Sequence, residues 1–227
     1  MQVAEELESD DVSPAVPEAR YAAVFVCAAA ALVVLVMAPT TDLTRALGLL
    51  FECLALFIAV ATGGGRGQVR RTRAAAVGVV AVLLIVAAAA GVLAPAPVSA
   101  LSAIAAISAS AAIAGGLVRL VRQRGVTLQA VAGALAIYLQ LGLMFAWLIG
   151  FVAHVDSAPY FAQGGDGSQA DRVYFSFTVM TTTGFGDLTA AESVGRGLAV
   201  LEMLAGQLYL VTVIGVLVGG LVSRRRA

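Results

Sequence analysis

The sequence predicts an all-α integral membrane protein with six transmembrane helices and a re-entrant segment between the fifth and sixth. Three observations predict it. The 227 residues are 60% hydrophobic and only 12% charged, with a mean hydropathy of +0.95. A soluble domain of this length could not cover so much apolar surface. The apolar residues also fall into six blocks, and a hydrocarbon core of about 30 Å takes roughly 20 helical residues to cross. The third observation is arginine: all 14 basic residues are Arg, and most lie in three clusters between or after blocks.

The blocks run over 21–38, 46–62, 74–94, 98–118, 127–153 and 194–222. The links "PTTDLTR" (39–45) and "PAP" (95–97) hold proline and polar turn formers. Glu52 and Gln140 interrupt the second and fifth blocks, which are otherwise apolar over nearly their full length. The loop "GGGRGQVRRTR", the link "RLVRQRG" and the tail "SRRRA" carry four, three and three Arg. With six spans all three fall on one side, together with Arg20, while Arg45, Arg172 and Arg196 face the other. The positive-inside rule then puts both termini in the cytoplasm of a multi-pass cell-membrane protein.

The first 20 residues are acidic, contain two prolines and lack a basic n-region, so they read as a disordered cytoplasmic tail rather than a signal peptide. Residues 21–125 form a four-helix transmembrane bundle and 126–227 a second unit. Cys27 and Cys53 sit inside different apolar blocks and read as packing residues, not as a disulfide.

Residues 154–193 form the longest external segment. A glycine-rich acidic loop leads into "VYFSFTVMT" (173–181), which is apolar but too short to span, and then into "TTGFGD". Non-helical backbone at membrane depth requires protein around it or a water-filled path beside it. Glycines at alternate positions, Gly184 and Gly186, allow positive φ without a Cβ penalty. Successive carbonyls can then point the same way and replace the water around a dehydrated cation.

Residues 171–222 resemble the pore module of tetrameric potassium channels, whose filter is usually written TVGYG. Thr182, Thr183, Gly184, Phe185 and Gly186 stand at its five positions, and Asp187 at the acid that commonly follows. The pair Gly195–Arg196 resembles the start of the family's inner helix, Gly206 stands at its hinge glycine, and Tyr174–Phe175 resemble the aromatic cuff of its pore helix. The resemblance covers about a quarter of the chain. It implies a pore domain at 126–227 with a pore helix at 171–182, a filter at 182–186 and an inner helix at 194–222. It implies K+ held at Thr182, Thr183, Gly184 and Phe185, with Asp187 at the mouth. Since one chain supplies one filter strand, it implies a homotetramer. Phe185 departs from the usual Tyr and loses a hydroxyl. Thr183 departs from Val, and its hydroxyl would either loosen the filter or give it another hydrogen bond.

If Gln207 faces the pore, helical spacing adds Leu210 or Val211, Ile214 and Val218 to that face, with Ile214 and Val218 as an apolar gate. Glu202 lies within the last span and would brace the pore helix through Thr178 or Thr181, or stay neutral in a packed site. The fourth block has no arginine before its cytoplasmic end, so voltage sensing by moving arginines is not expected. Its small residues predict close helix packing.

The chain ends just after helix six, so no cytoplasmic ligand-binding domain is expected. The arginine clusters at 66–73, 119–124 and 224–226 would set topology or bind anionic lipid. His154 reads as an interfacial histidine without a task. The external acids Asp156, Asp166, Asp171, Asp187 and Glu192 would gather cations at the mouth. No catalytic triad, metal cluster or phosphate loop is visible, so neither an enzyme nor a cofactor is expected, and no nucleic-acid partner. The alternative is a non-selective cation channel. A secondary transporter or membrane scaffold comes third, because no second broken helix matches the first.

Overall fold

The computed structural model describes residues 20–37, 41, 47–48, 50–51, 53–58, 78, 82, 86 and 94–226. The expected acidic tail, the arginine loop 63–73, Arg45, Glu52, part of the second apolar block and most of the third lie outside the described residues. The elements are helices: α1 (Arg20–Met37), α2 (Pro95–Arg124), α3 (Leu128–Val155), α4 (Gln169–Met180) and α5 (Ser193–Leu208). A π-helical segment, Tyr209–Ile214, joins α5 without a break to α6 (Gly215–Arg226). Among the described residues three stretches are long and apolar enough to cross a membrane: Pro95–Arg124, Leu128–Val155 and Ser193–Ser223. Tyr21–Met37 is apolar but shorter.

Local chemistry explains most of the ends. Proline opens α2, where a missing N–H costs nothing. The helix then runs six residues past the end of its apolar block, through "RLVRQR", because none of those residues stops it. Gly125, at φ 69°, does. Thr127 caps α3 by accepting from Ala130 N at 3.2 Å. Ser168 and Asp171 cap α4 reciprocally: Asp171 N donates to Ser168 Oγ at 3.1 Å, and Ser168 N donates to Asp171 Oδ2 at 2.7 Å.

The hub is α3, which packs against α1, α2, α4 and the last helix. Along α2 the buried residues are Val98, Ser99, Ser102, Ala103, Ala106, Ala109, Ile113, Leu117 and Leu120. Steps of three and four put them in one stripe, and most are small enough to bring the two backbones close. Near one end of α3, Tyr21, Ile113, Leu117, Ala134 and Ile137 form a cluster that Leu217 completes. Further along, Leu35, Ala103, Leu143, Trp147 and Val173 form a second. At the far end Ile149, Tyr160, Phe161, Phe175 and Val179 form a third, with ring centroids 5.0–6.3 Å apart and edges set against faces. Cys27 and Cys53 form no disulfide among the described residues.

Candidate functional site

The stretch 181–192, between α4 and α5, leaves the helical conformation where the sequence turns polar. Thr182, Gly184 and Gly186 have φ of 57°, 52° and 80°. Thr183 and Phe185 do not share that sign; Thr182 is the one non-glycine with positive φ among the described residues. Positive and negative φ therefore alternate along 182–186, a pattern that allows successive carbonyls to turn toward one side. The left-handed conformation costs an ordinary residue roughly 1–2 kcal/mol, so Thr182 needs support that the glycines do not.

That support comes from α4 and α5. Thr182 N donates to Val179 O at 2.9 Å. Thr183 N and Gly184 N both donate to Thr178 O, at 2.9 and 3.1 Å. The Thr182 hydroxyl donates to Thr181 O at 2.7 Å and accepts from Gln207 Nε2 at 3.1 Å. The amides of Thr182, Thr183 and Gly184 are thus spent on carbonyls of α4. A Cβ on Gly184 or Gly186 would meet nothing within 4 Å.

Thr183, the residue with two possible roles, takes the second. Its hydroxyl lies 2.9 Å from that of Thr181, which itself donates to Phe177 O. Phe185 stacks nearly parallel to Tyr174 of α4, centroids 6.2 Å apart. The Tyr174 hydroxyl donates to Asp187 Oδ2 at 2.9 Å. This bond is the main cause of a Tyr174 pKa above the ordinary phenol value. Behind the loop, an apolar groove of about 560 Å³ lies between Val33 and Val36 of α1 and Phe177, Thr183 and Phe185.

The outer edge of the loop is tied to the 156–168 segment. Ala162 N donates to Thr189 O at 2.8 Å and Ala191 N to Tyr160 O at 2.9 Å. Arg196 donates to the Ala190 and Ala191 carbonyls, and Arg172 to those of Asp166 and Gly167. Of the acids expected on the outer side, Asp156 and Asp166 accept from the backbone amides of Ala158 and Tyr160, and Asp171 caps α4. His154 Nδ1 bonds back to Gly150 O in its own helix.

The last helix adds detail to three expectations. Gly206 is buried and makes close contact: a Cβ there would land on the Met180 carbonyl oxygen. A π-helical irregularity, of the kind that often accompanies bending, follows at Tyr209–Ile214. The wider π turn also rotates the residues after it, so simple helical spacing from Gln207 fails. Ile214 consequently packs on the Tyr21–Ile137 cluster, while Val211, Val216 and Val218 are exposed. Glu202 reaches neither Thr178 nor Thr181, whose hydroxyls bond to carbonyls of α4 itself. It meets the hydroxyl of Ser176, which also donates to Gly142 O of α3 at 2.7 Å. Ser176 and Gly142 carry no sequence signal for this, being separated by 34 residues. Another missed feature, the Ser168–Asp171 cap, was visible as an S-x-x-D pattern before an apolar run.

Residues 134–222 match a family model described as ion channel. The match starts inside α3, takes in α4 and the whole 181–192 loop, and ends near the close of α6. It supports an ion channel domain over that stretch and leaves α1 and α2 outside. No curated protein and no solved structure matches the chain.

Proposed function

We propose that the protein is a potassium-selective channel of the cell membrane, in which four copies surround one pore. Conduction is passive, through a filter built from the carbonyls of Thr182 to Phe185. The carrying observation is the positive φ at every second residue, 182, 184 and 186, with the amides of Thr182, Thr183 and Gly184 pinned to α4. Such a loop presents oxygens on its free face and no side chain that would block them. Ordered carbonyls replace the hydration shell of a cation without net charge on the protein. In this reading α4 is the pore helix, 181–192 is re-entrant, α5 to α6 is the inner helix and Asp187 raises cation concentration at the mouth.

A fourfold arrangement fits the exposure of the last helix. Only 11% of the apolar window of Ser193–Ser223 is buried, against 56% for Leu128–Val155. Leu201, Leu204, Leu208 and Val211 form exposed apolar surface along it, suited to other copies and lipid. The described part of the fourth apolar block, α2, has no arginine before Arg119, so a voltage-driven arginine ladder is not part of this reading.

Purified protein in liposomes with a potassium gradient tests the proposal. Wild type should pass potassium, with a reversal potential that follows potassium rather than sodium. Gly184→Ala places a Cβ on a left-handed backbone, at roughly 1–2 kcal/mol per subunit. It should abolish that preference without loss of folded protein. Equal sodium and potassium permeability in wild type would favour a non-selective cation channel, and unchanged flux in the variant would remove the filter assignment.

A further inference from the structure

We propose that Glu202 is a neutral carboxylic acid whose proton is donated to Ser176 Oγ, making it a positioning residue that holds α5 against α4 and the loop α4 carries. The argument is a count of protons. Ser176 Oγ lies 2.7 Å from Gly142 O and also in hydrogen-bond contact with Glu202 Oε1. A serine hydroxyl has one proton, and a backbone carbonyl has none. An ionised Glu202 would leave two acceptors facing one proton. A protonated Glu202 satisfies the whole chain: carboxyl O–H to Ser176 Oγ, then Ser176 O–H to Gly142 O.

The surroundings agree. Glu202 is fully buried, and its second oxygen, Oε2, has no hydrogen-bond partner. A carboxylate left there would carry uncompensated charge in an apolar helix contact, whereas a neutral carbonyl oxygen tolerates the site at smaller cost. The charged and titratable groups nearby are turned to other tasks. From α4, Arg172 directs its guanidinium at the Asp166 and Gly167 carbonyls. On α5 itself, Arg196 holds the Ala190 and Ala191 carbonyls. On α3, His154 bonds to Gly150 O. From the 156–168 segment, the buried Tyr160 phenol faces Glu202, and with Glu202 uncharged burial alone raises its pKa and keeps it neutral.

Position gives the proton its consequence. Glu202 and Gly206 lie four residues apart on α5, and Ser176 and Met180 lie four apart on α4. The hydrogen bond and the Gly206–Met180 contact are therefore successive rungs between the same two helices. The Gln207–Thr182 bond is a third rung, at the start of the loop. Loss of the proton leaves the carboxylate and Gly142 O competing for the single Ser176 proton and buries a negative charge beside the orphaned carbonyl, which breaks the chain that ties α5 through α4 to α3.

The effect on conduction rests on the channel reading; the protonation state does not. Infrared difference spectra of wild type and Glu202→Gln in lipid at neutral pH should show the C=O stretch of a protonated carboxylic acid that the variant lacks. Its absence would overturn the proposal whatever the protein conducts. In liposomes, Glu202→Gln keeps an N–H donor for Ser176 and should retain wild-type flux and ion preference at neutral pH. It should also lose the alkaline decline that wild type shows as its infrared band titrates away. Glu202→Ala, with no donor, should lose potassium preference by about fivefold, the worth of one hydrogen bond. Wild-type behaviour in Glu202→Ala, or an alkaline decline kept in Glu202→Gln, would refute the positioning role. A protonated carboxyl in a protein that passes no potassium would instead count against the channel reading.

Discussion

Two helix contacts meet on α3, and they are made in opposite ways. Against α2 the surfaces are small and apolar, with Ala103, Ala106 and Ala109 buried and Ser102 Oγ buried without a partner. Against α4, and through it α5, a chain of polar atoms runs from Gly142 O through Ser176 to Glu202. The first contact needs only closeness, which many sequences of small residues provide, and it tolerates sliding. The second fixes one register, because a hydrogen-bond chain has a single good geometry. The rigid register lies on the side that carries the 182–186 loop.

Four substitutions test this contrast. Gly206→Ala should do the most damage. Its Cβ would collide with backbone, the Met180 carbonyl, which cannot rotate away. A loss of about 3 kcal/mol, the upper end for overpacking, is expected in thermal unfolding, with loss of flux. Ser176→Ala comes next. It leaves the Glu202 carboxyl buried without its partner and should cost about 2 kcal/mol. Thermal unfolding and the sodium-to-potassium permeability ratio should both change. Thr183→Val removes the contact to the Thr181 hydroxyl. It should cost about 1 kcal/mol, read as weaker ion preference rather than lower stability. Ser102→Ala sits on the other face of α3 and should have the smallest effect, within about 0.5 kcal/mol of wild type, since it removes a hydroxyl with no partner. Equal losses for Ser102→Ala and Ser176→Ala would dissolve the distinction between the two contacts.

Much of the helical layout was legible because its signals are local. Apolar block length placed the spans, while the signals that set their ends are as local but went unread: the link assigned to 95–97 is the first turn of α2, Thr127 caps α3, and the glycine after Arg124 ends α2. The loop was legible too, since alternate glycines mark alternate positive φ. What sequence reasoning missed depends on distant partners or on a shift of helical phase. Thr182 takes a left-handed backbone that its own residue type disfavours, and it does so because Val179, Thr181 and Gln207 hold it there. Ile214 left the expected gate face because a π turn changed the phase of the helix, and no pattern of apolar residues reveals that turn. Glu202 was noticed as a costly acid, yet its partner was misassigned. Thr178 and Thr181 are threonines that can satisfy carbonyls on their own helix, while Ser176 faces across.

By itself the sequence determined that the chain is rich in membrane-length apolar helices, where many of them begin and end, and that one polar stretch near the end is unlike the rest. Composition and short-range stereochemistry suffice for that, because helix length, caps and glycine conformations are settled within a turn. Only the tertiary structure decided that Gly206 packs on Met180, that a π turn occupies 209–214, and that Ser176 joins Gly142 to Glu202. Those outcomes depend on which faces of α3, α4 and α5 meet, and on hydrogen bonds between residues 26 and 34 positions apart, which no local pattern encodes.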